Sequence, residues 1–172
     1  QSKLTLLFKG SSVNYVLVNT LRRLSMDYVP TYAFSSDSIF IERNTSIINN
    51  DQMRLKLSQV TIPNISVKSH FLEDKYWKDV DLKNPERERH PDDKKLLEMY
   101  INVTNDTAEI LPITTEHMKI YEDGVELANK FDLNFPHLIL ELRPNESFNC
   151  RCVGILSIGM VNNIWSAAGT SY

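Results

Sequence analysis

Two cysteines, Cys150 and Cys152, are the residues whose spacing most directly suggests chemistry. They form a C-x-C pair inside an apolar run that predicts a β-strand, so both side chains would share one face of a sheet. A disulfide between residues this close along a strand is strained. Two thiolates alone do not complete a tetrahedral zinc site, and no histidine is near them in the sequence. We therefore expect two reduced, partly buried cysteines and no bound metal.

The histidines and glycines do not suggest catalysis or nucleotide binding. No histidine has a cysteine, serine or acidic partner at a recognised catalytic spacing. The chain has five glycines and no glycine-rich phosphate-binding motif. We expect no catalytic residue and no cofactor in this chain, and we interpret the four histidines as surface or ordinary structural residues. They are His70, His90, His117 and His137.

Five N-x-[ST] sequons allow a different interpretation of the chain. In a secreted protein their asparagines would carry glycans, and the chain would be a β-rich glycoprotein or an adhesin-like binding domain. In an asparagine-rich intracellular protein the same triplets arise by chance and as turn chemistry. The absence of a disulfide framework weighs against the secreted alternative. The sequon asparagines are Asn44, Asn64, Asn102, Asn105 and Asn145.

Length and composition predict a folded protein without a membrane span. At 172 residues, 42% of them apolar and 24% charged, the chain can bury one sizeable core. The net charge of −3 does not indicate the concentrated basic face that direct DNA binders usually carry. No window is long and apolar enough to cross a membrane, and no signal peptide is visible. We expect no membrane association and no direct sequence-specific contact with DNA.

The elements that must position a functional surface begin with an amphipathic helix, predicted from Ser12 to Asp27. Ser11 or Ser12 can cap its start, and Pro30 stops it. A short strand, Leu4–Lys9, precedes the helix, so its apolar stripe needs a partner from elsewhere. A core-packed helix with solvated arginines is the ordinary alternative. The stripe consists of Val13, Val16, Leu17, Leu21, Leu24 and Tyr28.

A strand and a second helix follow. The strand is predicted from Tyr32 to Ile41. After asparagine-rich turns, Met53, Leu57 and Val60 recur at helical spacing, and Pro63 stops that run. In the sequence, the predicted strand therefore lies between the two predicted helices.

The middle of the chain is dense in charge. The segment Glu73–Lys95 is predicted to be a long loop or lid, with a solvated mobile loop as the ordinary interpretation. Tyr76 and Trp77 suggest a docking surface for a neighbouring subunit, because an aromatic residue in a charged loop needs something to pack on. Further strands are predicted at Leu96–Val103, Leu138–Leu142 and Phe148–Val153, with a hairpin turn at Glu122-Asp123-Gly124.

Two groups of motifs, taken in order, resemble a known family. The first is an N-x-L-R-R helix, a proline, an apolar strand ending in N-[ST]-[ST], and an acidic-capped helix followed by a proline. The second is a pair of strands joined by a charged turn, followed by a segment that in the family reads H-A-K-W-S-P. With these motifs, which cover a little over half of the chain, the sequence resembles the α-type subunit of multi-subunit DNA-directed RNA polymerases, the archaeal D or eukaryotic third-largest subunit. The matching residues are Asn19-Thr20-Leu21-Arg22-Arg23, Pro30, Asn44-Thr45-Ser46, Asp51, Met53, Lys56-Leu57, Pro63, Leu138–Leu142, Arg143–Glu146, Phe148–Val153 and Asn162–Tyr172.

The chain departs from the family pattern in its second motif. The family histidine, lysine and proline are replaced by Asn162, Ile164 and Ala167. The zinc-binding cysteine cluster that many eukaryotic members carry in the middle is missing from this sequence. These departures and the Asn- and Ile-rich composition suggest a divergent member, such as one from a large DNA virus.

The resemblance implies an α+β fold in two parts. Residues 1–30 would be the N-terminal part of a dimerisation domain, a strand plus a helix, and residues 31–172 a mostly β insert domain. In the family the chain then returns to the dimerisation domain. We expect that remainder beyond residue 172 or on another chain.

The resemblance also implies an architectural function. The chain would form a heterodimer with the smaller α-like subunit and scaffold the large catalytic subunits, which hold the magnesium ions and add nucleotides. Its partners would be that subunit, the second-largest subunit and other small polymerase subunits, in the nucleus, a cytoplasmic viral factory or the virion. The implied interface residues are Asn19, Leu21, Arg22, Arg23, Met26 and Trp165.

Overall fold

The computed structural model describes residues 3–62, 72–81, 84, 87–91, 96–127 and 136–171. Within them, five strands form one antiparallel sheet in the order β1-β7-β2-β4-β5, and β3 pairs with β6 in a second sheet. This mixture of helices and antiparallel strands confirms the α+β class, whereas the division at residue 30 stays a prediction. The elements are α1 (Tyr15–Asp27), β1 (Thr31–Asn44), α2 (Asn50–Ser58), β2 (Leu97–Thr104), β3 (Leu111–Thr114), β4 (Lys119–Glu122), β5 (Val125–Glu126), β6 (Leu138–Leu142) and β7 (Ser147–Ser157).

The core joins the inner faces of the two sheets with α2. Strand β7 is an interior strand of the larger sheet, because it pairs with β1 on one side and with β2 on the other. Its alternate residues Phe148, Cys150 and Cys152 are fully or almost fully buried, as expected for side chains that repeat every second position along a strand. Cys152 lies opposite Ile39 of β1 and Met99 of β2. The predicted strands at Leu138–Leu142 and Phe148–Val153 are therefore confirmed, the second with longer bounds.

Strand β1 is longer than predicted and is interrupted in its middle. Its register against β7 shifts between Phe34 and Ile39. The Ser38 hydroxyl donates to the carbonyls of Ser35 at 2.9 Å and Val153 at 2.7 Å. The short polar side chain thus satisfies backbone groups where the regular ladder is broken.

Helix α2 is confirmed at Met53 and Leu57, but it ends at Ser58, so Val60 lies beyond it. The Asn49 side chain caps it by accepting from the Gln52 amide at 2.8 Å. Met53 and Leu57 are completely buried against the sheet. The Arg54 Nε donates to the carbonyl of Ile39 at 3.3 Å, which ties the helix to β1. The predicted stop at Pro63 lies outside the described residues.

A sequon forms the turn at the end of β1. The Asn44 Oδ1 accepts from the Ser46 amide at 3.0 Å and from its hydroxyl at 2.7 Å. The Asn44 Nδ2 donates to the carbonyl of Ile48 at 2.8 Å. The next residue, Thr45, exchanges hydrogen bonds with the backbone of Ser147 at the start of β7. The side-chain hydrogen bonds of this triplet thus form the turn that connects β1 to α2.

A second sequon repeats this turn at the end of β2. The Asn105 Oδ1 accepts from the amide and hydroxyl of Thr107 at 3.0 and 2.7 Å. The Asn105 Nδ2 donates to the carbonyls of Glu109 at 2.8 Å and Leu142 at 2.9 Å. Asn105 is fully buried. The strands on both sides of β7 therefore end in the same asparagine turn.

The hairpin predicted at Glu122-Asp123-Gly124 connects β4 to β5. Asp123 and Gly124 have φ values of 51° and 80°, the left-handed geometry that a tight hairpin turn requires. The Asp123 carboxylate also accepts from the Leu96 amide at 2.9 Å, so the turn is fastened to the start of β2.

Two expectations for the N-terminal region are wrong. Residues Leu4–Lys9 form no strand, because no other described strand offers them a ladder of hydrogen bonds. Helix α1 begins at Tyr15 rather than at Ser12. Its cap is Asn14, whose Oδ1 accepts from the Leu17 amide at 3.0 Å, and not Ser11 or Ser12. Asparagine and serine cap equally well in general, so only the conformation of the preceding turn decides between them.

The charged middle segment folds back on itself where it is described. A short 3-10 turn spans Asp74–Tyr76. The Trp77 indole donates to the carbonyl of Leu72 at 3.1 Å, and the Tyr76 ring meets the His90 ring edge-on at 5.1 Å. These aromatic residues therefore contact the segment itself and the residue that precedes it. Its docking role stays a prediction.

Candidate assembly interface

Helix α1 lies on the chain without burying any of its residues. Its last turn is held by the segment that follows β7. The Met160 amide donates to the carbonyl of Asp27 at 2.9 Å, and the Thr170 hydroxyl donates to the carbonyl of Arg22 at 3.2 Å. A side chain at Gly159 would come within 2.2 Å of the Met26 carbonyl oxygen, so glycine permits this approach. The two sequence motifs, far apart in the chain, thus meet at the end of α1.

One face of α1 is an exposed leucine stripe, made of Leu17, Leu21 and Leu24. At about 100° per residue these three positions fall within one narrow band of the helix surface. Each side chain is between 41% and 45% exposed. Fully buried apolar stripes are what normally stabilise a short helix, so the leucine stripe is apolar surface that the described chain covers only in part.

The segment before α1 adds further exposed apolar side chains. Leu4 and Leu7 are 81% and 79% exposed, and Leu6 and Phe8 are exposed as well. Single exposed leucines are ordinary, but several along one segment mark an interaction surface. The first part of the chain therefore concentrates apolar surface that lacks cover within the described residues.

A second face of α1 carries Arg22 together with Asn19 and Met26. The Arg22 Nε donates to the Asn19 Oδ1 at 3.1 Å, and its Nη1 lies 3.3 Å from the Met26 sulfur. The three side chains are half-buried. On a helical projection this face lies roughly 165° from the leucine stripe. The predicted interface residues therefore divide between two faces, with Leu21 on one and Asn19, Arg22 and Met26 on the other.

Arg23 differs from its neighbour. Its Nε lies 3.5 Å from an Asp27 carboxylate oxygen, one helical turn away, and its side chain is 61% exposed. Exposed pairs of this kind contribute little to stability, about 0.3–0.5 kcal/mol. The two arginines, which are neighbours in the sequence, thus differ: the Arg22 guanidinium is oriented by its neighbours, whereas Arg23 is solvated.

Trp165, the remaining predicted interface residue, is buried inside the chain. It packs with Ala33 and Ile155, and its indole donates to the carbonyl of Ile155 at 2.9 Å. A satisfied and buried indole supports the segment that holds α1 and presents almost no surface of its own. The sequence motif identified Trp165 but did not indicate that it faces inward.

The cysteine pair lies on β7, in the core. Cys150 and Cys152 are free and buried. A hydrogen bond with Cys150, followed by burial, raises the pKa of the Cys152 thiol well above its usual range, so the thiol stays protonated and is a poor nucleophile. Among the described residues, no group of three or more histidine, cysteine, aspartate or glutamate side chains could hold a metal ion.

Sequence reasoning missed two features of the chain. The first is the contact of Gly159 and Thr170 with α1; a glycine after a long strand was its only local signal. The second is the outer face of the five-stranded sheet, where Phe40, Tyr100 and Arg151 lie side by side. Alternation within each strand indicates that such a face exists, but not which strands are neighbours.

In the part of the chain that the structure describes, neither α-helix has the length and apolar character to cross a membrane. No protein-family model matches the sequence, and no curated protein matches it either. The resemblance to the polymerase α-type subunits therefore rests on the motifs quoted above and stays a prediction.

Proposed function

We propose that this chain is a non-catalytic assembly subunit of a DNA-directed RNA polymerase. In this proposal it pairs with a smaller α-like subunit and helps to hold the second-largest subunit in place. The supporting observation is that the leucine stripe on the helix bearing the N-x-L-R-R motif is half-exposed. Partner subunits of a polymerase in the nucleus, in a viral factory or in a virion would bury this stripe.

The physical reason is the stability of α1. An isolated helix of 13 residues is marginal in water, because nucleation is costly and each further residue gains little. The hydrogen bonds of Asp27 and Arg22 hold only its last turns. Covering Leu17, Leu21 and Leu24 would supply the apolar burial that the helix lacks, at about 25 cal/mol for each Å² removed from water.

The Arg22 face suits a second contact. A guanidinium offers a planar fork of donors that matches carboxylates and carbonyls, and interface cores are enriched in arginine and methionine. Asn19 and Met26 already orient Arg22, so less side-chain entropy would be lost on binding. Two opposite faces on one helix allow the chain to bridge two partners.

The alternative of a secreted glycoprotein loses support at two of its sequons. An N-linked glycan is attached to the asparagine Nδ2, which must therefore be accessible. The Nδ2 of buried Asn105 donates to two carbonyls, and the Nδ2 of Asn44 donates to Ile48 and to the Asn50 side chain. Turn formation explains both triplets without glycans.

The proposal is tested by affinity purification from native material under non-denaturing conditions. We expect the two large catalytic subunits of an RNA polymerase and a smaller α-like subunit in stoichiometric amounts, and an intact mass for this chain that shows no glycan. Recovery of the chain alone, or glycans at several sequons, would contradict the proposal.

A pair of matched variants links the result to α1. Leu17→Ser with Leu21→Ser should weaken capture of the α-like subunit about thirtyfold, because each half-exposed leucine that becomes buried contributes about 1 kcal/mol. Leu138→Ser is the control, since Leu138 is similarly exposed, at 49%, but lies on β6. Equal capture by the double variant and the control would show that the leucine stripe is not part of the interface.

A further inference from the structure

The outer face of the five-stranded sheet carries a row of alternating rings and cations. Strand register places Phe40 of β1 opposite Arg151 of β7, Arg151 opposite Tyr100 of β2, and Tyr100 opposite Lys119 of β4. Paired residues of antiparallel strands project on the same face. This aromatic–cation row runs across four strands, on the side away from the core.

The dimensions of the row can be read from the sheet. Neighbouring strands lie about 4.8 Å apart, so the row extends about 14 Å and its two rings are about 10 Å apart. Phe40 is 51% exposed, and the Arg151 guanidinium carbon lies 6.0 Å from its ring centroid. Tyr100 meets Tyr121 edge-on at 5.6 Å, which fixes the orientation of the Tyr100 ring. The contacts with Arg151 and Tyr121 thus restrict the orientation of both rings.

Polar groups surround the second ring, and two of them have no partner within the described part of the chain. An open cleft of about 380 Å³ is lined by Tyr100, Asn102, His117, Lys119 and Tyr121. Among the described residues, the Asn102 amide and the Lys119 ammonium make no hydrogen bond or ion pair. The His117 Nδ1 accepts from the Thr114 amide at 3.2 Å, so neutral His117 carries its proton on Nε2 and offers a donor there.

This face carries both cations and carboxylates, and only some of the cations are paired. The Arg151 Nε donates to the Glu98 carboxylate at 2.7 Å, and this hydrogen bond raises the pKa of the guanidinium. The Glu98 side chain is only 12% exposed, whereas that of Arg151 is 40% exposed. Exposed Arg43 faces Asn149 in the next row, towards the asparagine turns. Glu126 of β5 lies opposite Tyr121 on the same face, and its carboxylate accepts from the Tyr121 hydroxyl at 3.5 Å. Arg43 and Lys119 are therefore the cations of this face that have no acidic partner among the described residues, in a chain whose net charge is −3.

We propose that the aromatic–cation row binds single-stranded nucleic acid without sequence preference. Bases would stack on Phe40 and Tyr100, while phosphates would contact Lys119 and Arg43, the combination of rings and cations by which such strands are held. An acidic peptide would match the cations but would leave the two rings without a flat partner. The proposal does not depend on the polymerase assignment, since the chain alone would bind.

The test is fluorescence anisotropy of the full chain with labelled oligothymidylate and oligouridylate of about 12 nucleotides, a length within the usual site size of such proteins. We expect dissociation constants between about 1 and 100 µM for at least one of them. A larger affinity for one oligomer would identify DNA or RNA as the preferred ligand. No binding of either at about 100 µM protein, the weak end for non-specific association, would overturn the proposal.

Variants distinguish stacking from charge. Phe40→Ala should weaken binding about tenfold and Tyr100→Leu likewise, whereas Tyr100→Phe keeps the ring and should keep the affinity. Lys119→Ala should reduce the slope of log affinity against log salt by about 0.7, the value for one phosphate contact on a single strand. Leu138→Ala and Lys56→Ala, exposed residues elsewhere, should change neither quantity.

Folding and competition complete the test. Thermal unfolding of each variant shows whether a loss of binding reflects a loss of structure, and Tyr100→Phe provides a binding-competent variant at a partly buried position of the row. Labelled polyglutamate is the competing ligand. Binding of polyglutamate as tight as that of the oligonucleotides, with no effect of Phe40→Ala, would overturn the stacking role and assign the face to an acidic peptide.

Discussion

Helices α1 and α2 flank the same strand, β1, yet only one of them enters the core. Helix α2 buries Met53 and Leu57 completely, although it has just nine residues. Helix α1 has 13 residues and buries none. Both show apolar residues at helical spacing, so periodicity identifies a helix that has an apolar face without saying what that face will contact.

The difference follows from the connections to β1. A five-residue asparagine turn folds α2 back over the inner face of β1, where Arg54 holds the carbonyl of Ile39. Helix α1 joins the other end of β1 and is fixed by Met160 and Thr170 at its last turns only. An apolar face that is held next to the sheet but not packed on it is available to a partner.

The largest expected contrast is in the free energy of unfolding. Leu57→Ala removes a fully buried side chain and should cost about 2–5 kcal/mol. Leu21→Ala, the matched change on α1, should cost about 0.5 kcal/mol or less, because its site is 41% exposed. Urea unfolding of the isolated chain measures both. Similar losses of unfolding free energy would show that α1 is packed as tightly as α2 and would contradict this contrast.

A smaller contrast separates the two arginines of α1. Arg22→Ala should weaken capture of a polymerase partner about thirtyfold, a loss of about 2 kcal/mol. Arg23→Ala should change it less than about threefold, because Arg23 is solvated beside Asp27. Pull-down titration with each single variant gives the affinities, and circular dichroism checks that folding is equal. Equal effects of the two changes would show that the interface does not use the Asn19–Arg22–Met26 face.

The smallest contrast concerns the two helix caps. Asn49→Ala should lower global stability by about 1 kcal/mol, because α2 unfolds with the core. Asn14→Ala should leave the unfolding midpoint nearly unchanged and instead lower helical content, since α1 can fray without exposing the core. Hydrogen exchange at the α1 amides resolves the local effect. A midpoint shift of the same size for Asn14→Ala would show that α1 unfolds together with the core.

The sequence predicted local elements well where one signal dominated. The hairpin needed only Asp123 and Gly124, because few other residues tolerate left-handed backbone geometry. The strand Leu138–Leu142 was predicted with its observed bounds. The prediction of a strand at Leu4–Lys9 was wrong, since apolar residues alone do not provide a pairing partner. The start of α1 was misplaced by three residues because Ser11, Ser12 and Asn14 are all good caps.

The candidate surfaces depended on contacts that no local pattern encodes. Arg22 and Arg23 are neighbours in sequence, but helical geometry turns them about 100° apart, and their partners differ. Trp165 is buried because Ala33 and Ile155 meet it from distant strands. The aromatic–cation row exists only because β7 lies between β1 and β2.

By itself, the sequence determined the helices, most strands and the asparagine turns, because these follow from backbone preferences and side-chain hydrogen bonds within a few residues. Only the tertiary structure decided which strands pair, which helix buries its apolar face, and which side chains stay exposed to solvent. Strand pairing joins residues about a hundred positions apart, as between Thr45 and Ser147, and the cost of closing such loops is repaid only when the whole core forms. Burial is therefore a property of the assembled fold, and α1 remains the part whose burial the described chain does not complete.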